Sequence, residues 1–98
     1  MINNRVMKQN FFIHSQKDNI AVASDDLNVG TVFKVKAGGK EIEIKLLNNI
    51  SLGHKFALQS IPKDGEVIKY GETIGLAVKQ IRSGSHVHVH NIKSLIYK

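Results

Sequence analysis

Apolar and polar residues alternate along this chain in short runs with a period of two. Glu41-Ile42-Glu43-Ile44-Lys45-Leu46 is the cleanest case, with aliphatic residues on one side and charges on the other. Thr31-Val32-Phe33-Lys34-Val35-Lys36 is β-rich and alternates near its end. Gly38-Gly39 between the two runs supplies the positive φ of a tight turn, so the segment predicts a β-hairpin. Phe11-Phe12-Ile13-His14, Ile20-Ala21-Val22-Ala23, Gly53 to Leu58, Val67 to Tyr70 and Thr73 to Val78 predict further strands, and Leu95-Ile96-Tyr97 one more pairing. Ile61-Pro62-Lys63-Asp64-Gly65 carries proline early and glycine late, which suits a turn ending in a left-handed residue. Leu47 to Leu52 reads as a loop or one helical turn. No amphipathic pattern reaches three helical turns, and no internal repeat, linker or low-complexity tract stands out. The expected fold is a single all-β domain of short strands and hairpins over residues 11–98, preceded by a loose arm over residues 1–10.

The last alternating run is chemically unusual. Ser85-His86-Val87-His88-Val89-His90-Asn91 holds three of the five histidines. On a strand, Val87 and Val89 enter a core while His86, His88 and His90 line the opposite face. Same-face neighbours on a strand stand about 6.6 Å apart, which separates His86 from His90 by about 13 Å. One ion cannot take all three from a straight strand, although two can share an ion across a bulge. The plain alternative is a half-exposed strand with its polar residues outward.

Length and charge narrow the picture. Ninety-eight residues make one modest core, too little for a large buried active site with its own scaffold. Without cysteine there is no disulfide, thiol nucleophile or cysteine-held zinc. No apolar run approaches the roughly 18 residues of a membrane helix, and Met1 to Asn10 lacks a signal-peptide core, so a cytoplasmic protein without membrane association is expected. Fourteen Lys and Arg against eight Asp and Glu give a net charge of +6. These cations are scattered and lack interleaved aromatics, so nucleic acid is not an expected partner. There is no G-x-S-x-G elbow, and Gly71-x-x-x-Gly75 lacks the ending of a phosphate loop. His54-Lys55 places an imidazole beside an ammonium, a pair suited to a carboxylate.

Three motifs in order carry a resemblance. They are Gly53-His54-Lys55-Phe56-Ala57-Leu58 with Ile61-Pro62-Lys63, then Val67-Ile68-Lys69-Tyr70-Gly71-Glu72-Thr73-Ile74-Gly75, then Gly84-Ser85-His86-Val87-His88-Val89-His90-Asn91. Together with Asp18-Asn19-Ile20-Ala21-Val22-Ala23 they resemble the N-terminal SAF module of altronate and galactarate dehydratases and the small subunit of sulfolactate sulfo-lyase. The resemblance spans roughly Phe11 to Asn91 and implies a β-clip fold. It further implies a role in eliminating water or sulfite from a hydroxy acid, beside a large catalytic subunit or C-terminal module that is absent from these 98 residues. A divalent metal, Fe²⁺ or Mn²⁺, is expected, held mainly by that larger module. On this reading His86 and His88 are catalytic and metal-ligating, and His54, Lys55, Tyr70 and His90 bind substrate. The isolated chain is expected to be inactive. The alternative is a binding-only β-clip domain that recognises an anionic carbohydrate or a protein surface.

Overall fold

A computed structural model describes residues 10–37, 39–88 and 90–94. Nine strands follow one another: β1 (Phe11–Phe12), β2 (Ile20–Ala23), β3 (Val32–Ala37), β4 (Lys40–Lys45), β5 (Lys55–Ala57), β6 (Glu66–Lys69), β7 (Glu72–Ala77), β8 (His86–Val87) and β9 (Ile92–Ser94). The all-β expectation holds, and among the described residues no helix is long and apolar enough to cross a membrane.

A four-stranded antiparallel sheet in the order β1-β2-β5-β8 lies between two other layers. Alternation sends Phe11, Ala21, Ala23 and Phe56 to one face, where the β3–β4 hairpin adds Val35 and Ile44 to the core. Phe11, Phe33 and Phe56 meet there with ring centroids 4.9–6.0 Å apart. The other face carries Ile20, Ala57 and Val87 against Val67 and Ala77 of the β6-β7-β9 sheet. Burial on both faces explains why Ile20 to Ala23 reads as a continuous apolar run.

One turn recurs four times. An apolar residue forms a β-bridge, the residue three later is left-handed, and the turn closes one residue further on. The bridge residues are Leu27, Ile50, Ile61 and Ile81, paired as Leu27 with Ile50 and Ile61 with Ile81. The left-handed residues are Gly30, Gly53, Asp64 and Gly84. The closing bonds run from the amides of Thr31, His54, Gly65 and Ser85 to the carbonyls of Asn28, Ser51, Pro62 and Arg82. Each turn also exchanges backbone bonds with a strand end, at Leu46, Ala23, Ala77 and Ala57 respectively. The chain is thus two copies of one unit: sheet strand, turn, hairpin, turn, next sheet strand. The copies share β5, and their hairpins cover opposite sheet faces. No repeat is expected from the sequence, because little recurs beyond a bridge residue and a turn.

Two other expectations change, and one open alternative is decided. The first strand stops at Phe12 because the amides of His14 and Ser15 turn to the Asp18 carboxylate. In Ile61 to Gly65 the left-handed residue is Asp64 (φ 68°) rather than glycine. Gly65 serves space instead, since a Cβ there would stand 2.8 Å from the Pro62 carbonyl oxygen. The Leu47–Leu52 loop contains no helical turn and contributes the Ile50 bridge. Residues 1–9 of the arm, Gly38, Val89 and the Leu95–Tyr97 pairing lie outside the described residues.

Candidate functional site

The principal correction concerns the histidine strand. The alternating histidine run does not form one strand: β8 ends at Val87, and the chain turns at His90-Asn91 into β9. Asn91 causes this. Its buried side chain donates from Nδ2 to the His86 carbonyl (2.7 Å) and accepts at Oδ1 from the His88 amide (2.9 Å). Its own amide bonds the His88 carbonyl at 3.0 Å. The turn therefore consumes the backbone groups that a longer strand would have used. The straight-strand separation of His86 and His90 disappears, and their ring centroids lie 5.3 Å apart.

Gly84 sets the start of β8. Its φ is +85°, and a Cβ there would collide with the Lys45 carbonyl. Its amide bonds the Ala57 carbonyl and its carbonyl accepts from Leu47, while the His86 amide donates to Asn48 Oδ1. The β5–β8 register pairs Phe56 with His86 and Lys55 with Val87, so continuing it sets His54 opposite His88 and diagonal to His86. His54 leaves the turn at Gly53 just before β5, and the end of β8 brings the other two histidines to meet it.

His54 Nδ1 lies 2.9 Å from His86 Nε2, with the rings 19° apart and their centroids at 5.1 Å. That centroid distance exceeds the N···N distance by only two ring radii, so the rings meet edge to edge through an N–H···N bond rather than by stacking. His88 lies 5.0 Å from His54 and 5.5 Å from His86 by ring centroids. One nitrogen from each of His54, His86 and His88 falls within 4.8 Å of the others.

Burial, followed by the charges of His54, His90, His88 and Lys55, holds the His86 pKa below the ordinary imidazole value. His88 is lowered by burial and then by His54, Lys55 and His90. Burial, with Lys69 nearby, lowers Lys55. Among the described residues neither lysine has a carboxylate partner. Burial and neighbouring positive charge thus both favour the neutral form of His86 and His88, with the Lys55 ammonium close enough to act on both.

The donor set fits a divalent transition metal. Two nitrogens about 2.1 Å from one ion lie about 3.0 Å apart at a right angle and about 3.4 Å apart at the tetrahedral angle. The His54–His86 contact at 2.9 Å falls just below these values, and the 4.8 Å bound on the trio leaves room above them. Neutral imidazole is the ligating form, which the lowered values of His86 and His88 favour. For both His54 and His86 to serve as ligands, whichever ring now donates the shared proton would carry it on its other nitrogen.

Of the residues singled out in the sequence, His54, His86 and His88 come together, His90 adjoins His86, and Lys55 stands beside them. Tyr70 stands elsewhere, stacked on His14 at 4.2 Å. Sequence reasoning missed Asn91 as the residue that shapes the cluster. Its one signal was its place at the end of the histidine motif. Asp18, Lys69 and the close approach at Gly84 were missed as well.

Residues 9–95 match the altronate/galactarate dehydratase SAF domain. The chain is similar to altronate dehydratase of Bacillus subtilis, 43% identical over 88 residues that make up 90% of this chain and 17% of that one. It is similar to the galactarate dehydratase (L-threo-forming) of Escherichia coli, 42% identical over 72 residues, 71% of this chain and 12% of that enzyme. It is also similar to (2R)-sulfolactate sulfo-lyase subunit alpha of Chromohalobacter salexigens, 33% identical over 91 residues, 90% of this chain and 97% of that subunit. The chain thus spans a small part of either dehydratase and nearly the whole of the sulfo-lyase subunit.

Proposed function

This chain belongs to the altronate/galactarate dehydratase SAF-domain family, and from that premise we propose that it is the small module of a lyase acting on a hydroxy acid. Its part is to complete a metal-dependent site formed with a larger catalytic module. The observation that carries this reading is the convergence of His54, His86 and His88 within 4.8 Å at one end of the central sheet.

A divalent ion, Fe²⁺ or Mn²⁺ in this reading, supplies Lewis acidity for the enediolate charge that develops when a proton leaves the carbon beside a carboxylate. His86 and His88 would hold it or stand next to it, with His54 as a third ligand. Their lowered pKa values keep both imidazoles unprotonated at neutral pH, so they act as ligands or proton acceptors rather than as acids. Lys55 adds positive charge for the substrate carboxylate, and His90, next to His86, adds a further hydrogen-bonding group for it. Burial holds the Lys55 ammonium in a setting where an anion is a stronger partner than in water.

The test is reconstitution. This chain and the catalytic chain from the same organism are assayed separately and mixed, with Fe²⁺ or Mn²⁺ and with altronate, galactarate or sulfolactate. Elimination is expected from the mixture alone, and His88→Ala is expected to cut its rate by roughly a hundredfold. Equal turnover by the catalytic chain with and without this module overturns the reading.

A further inference from the structure

The second hairpin does not cover its whole sheet face. Across that face Phe12, Val22, Lys55 and Val87 stand in one row by register. Val87 is fully buried, Val22 and Lys55 are half-buried, and Phe12 is 55% exposed. The uncovered end of the row has an aromatic wall. His14 lies 6.2 Å from Phe12 and 4.2 Å from Tyr70, the rings nearly parallel in both pairs. Lys69 Nζ sits 5.1 Å from the Tyr70 ring centroid.

Tyr70 is 61% exposed and left-handed, with φ 57°. It occupies the first position of the two-residue Tyr70-Gly71 turn, where Asn, Asp or Gly would sit with less strain. The turn is held by a buried carboxylate. Asp18 Oδ1 accepts the Gly71 amide at 2.8 Å, and Oδ2 accepts the amides of His14 and Ser15 at 3.2 Å. One carboxylate thus fixes both sides of the His14–Tyr70 stack. A strained, exposed tyrosine so firmly placed signals function.

We propose that this shelf, floored by Phe12 and Val22 and walled by His14, Tyr70 and Lys69, is where the catalytic chain of the lyase docks, through an apolar segment that carries a carboxylate. The inference rests on the functional reading above. A small hydroxy acid has no apolar surface to cover Phe12, Val22 and Tyr70, whereas a protein segment has. Preset aromatic rings lose little conformational freedom on binding, which is the character of interface anchors. Lys69 has no carboxylate partner among the described residues and supplies the charge a partner can meet. The family matches say where the occupant comes from. The same module is 17% of the length of one dehydratase and nearly all of a protein named as subunit alpha. Its catalytic complement therefore sits beside it in one chain or comes from another.

The test measures calorimetric binding of this chain to the catalytic chain of the same organism, with thermal melts of each variant alone. Tyr70→Gly removes the ring and suits the backbone, and Phe12→Ser removes an exposed ring. Each is expected to shift the melting temperature by no more than about 4 °C and to weaken binding at least tenfold. Lys69→Glu is expected to weaken it similarly and to reduce its dependence on salt. If the wild-type chain binds and the variants bind equally well, the docking surface is wrong and the functional reading stands. If the wild-type chain does not bind the catalytic chain, both fall. If the variants instead abolish self-association of this chain, the shelf is a dimer contact and the inference is overturned.

Discussion

Replacing Asn91 with alanine should damage both the fold and the histidine cluster. The side chain is 4% exposed and makes two bonds, to the His86 carbonyl and from the His88 amide. Each bond contributes about 0.5–1.5 kcal/mol net, and a stranded buried group costs about 1–3 kcal/mol. Partial solvation of this turn keeps the second figure low, so Asn91→Ala should cost on the order of 2–4 kcal/mol. For a domain of this size that lowers the melting temperature by on the order of 10–20 °C. The turn then loses its hold on His88, and Co²⁺ affinity, read by visible absorption, should fall at least tenfold. Asn91→Asp separates the two bonds. It keeps the acceptor for the His88 amide, but it loses the donor and sets a carboxylate oxygen against the His86 carbonyl. That environment raises the pKa of the introduced carboxyl above its unfolded value near 3.9. Its penalty is therefore full above the raised value and fades as pH falls toward 3.9, where the protonated group donates again. Urea melts and Co²⁺ titrations at several pH values follow both effects. A loss under 1 kcal/mol with unchanged Co²⁺ affinity for Asn91→Ala refutes the positioning argument.

Three further outcomes follow from the geometry. His54→Ala, His86→Ala and His88→Ala should each weaken Co²⁺ binding by the isolated chain at least tenfold, and His90→Ala less than threefold; equal effects from all four would indicate adventitious surface binding. Because His86 and His88 titrate lower in the fold than the unfolded value of 6.5, the unfolded chain takes up protons first as pH falls. Thermal stability should therefore drop from pH 7.5 to pH 5.5, and a slope no flatter in the His86→Ala/His88→Ala double variant counts against this origin. Gly84→Ala forces a Cβ onto the Lys45 carbonyl at a positive φ and should cost about 2–4 kcal/mol in urea denaturation, whereas a loss under 1 kcal/mol would mean the turn relaxes freely.

Legibility in the sequence followed the source of the restraint. The β3–β4 hairpin could be read because its alternation and its turn agree, and the pairing of Phe33 with Ile44 and Val35 with Ile42 is what that pattern demands. The strand at Ile20 to Ala23 was equally plain from its composition. What stayed hidden depends on side chains that bond distant backbone. Asn19 reaches the Glu66 carbonyl and the Ile68 amide, Asp18 reaches Gly71, and Asn91 ends the histidine strand. Period-two alternation through Val89 pointed to a longer strand, and nothing local says that an asparagine will fold its end back. The candidate residues were visible as residue types, but their meeting point was not. His54 lies 32 positions from His86, and only the β5–β8 register joins them.

The two-copy architecture accounts for where the histidines collect. Each copy ends by returning a strand to the central sheet: β5 for the first copy and β8 for the second. β5 has a neighbour on both sides, so its backbone is committed to ladders along its length. β8 has β5 alone, and no later strand pairs with its outer side among the described residues. A strand with one committed edge can stop after two residues, because its remaining donors and acceptors have other partners within reach. Here Asn48 takes the His86 amide on the outer side and Asn91 takes the His86 carbonyl and the His88 amide. The start of β5, where the turn at Gly53 delivers His54 and Lys55, lies against that stopping point because the pair is antiparallel. A longer β8 would have spread its histidines along an edge. Stopping it gathers the imidazoles of His54, His86 and His88 at one corner of the sheet, within 4.8 Å of one another.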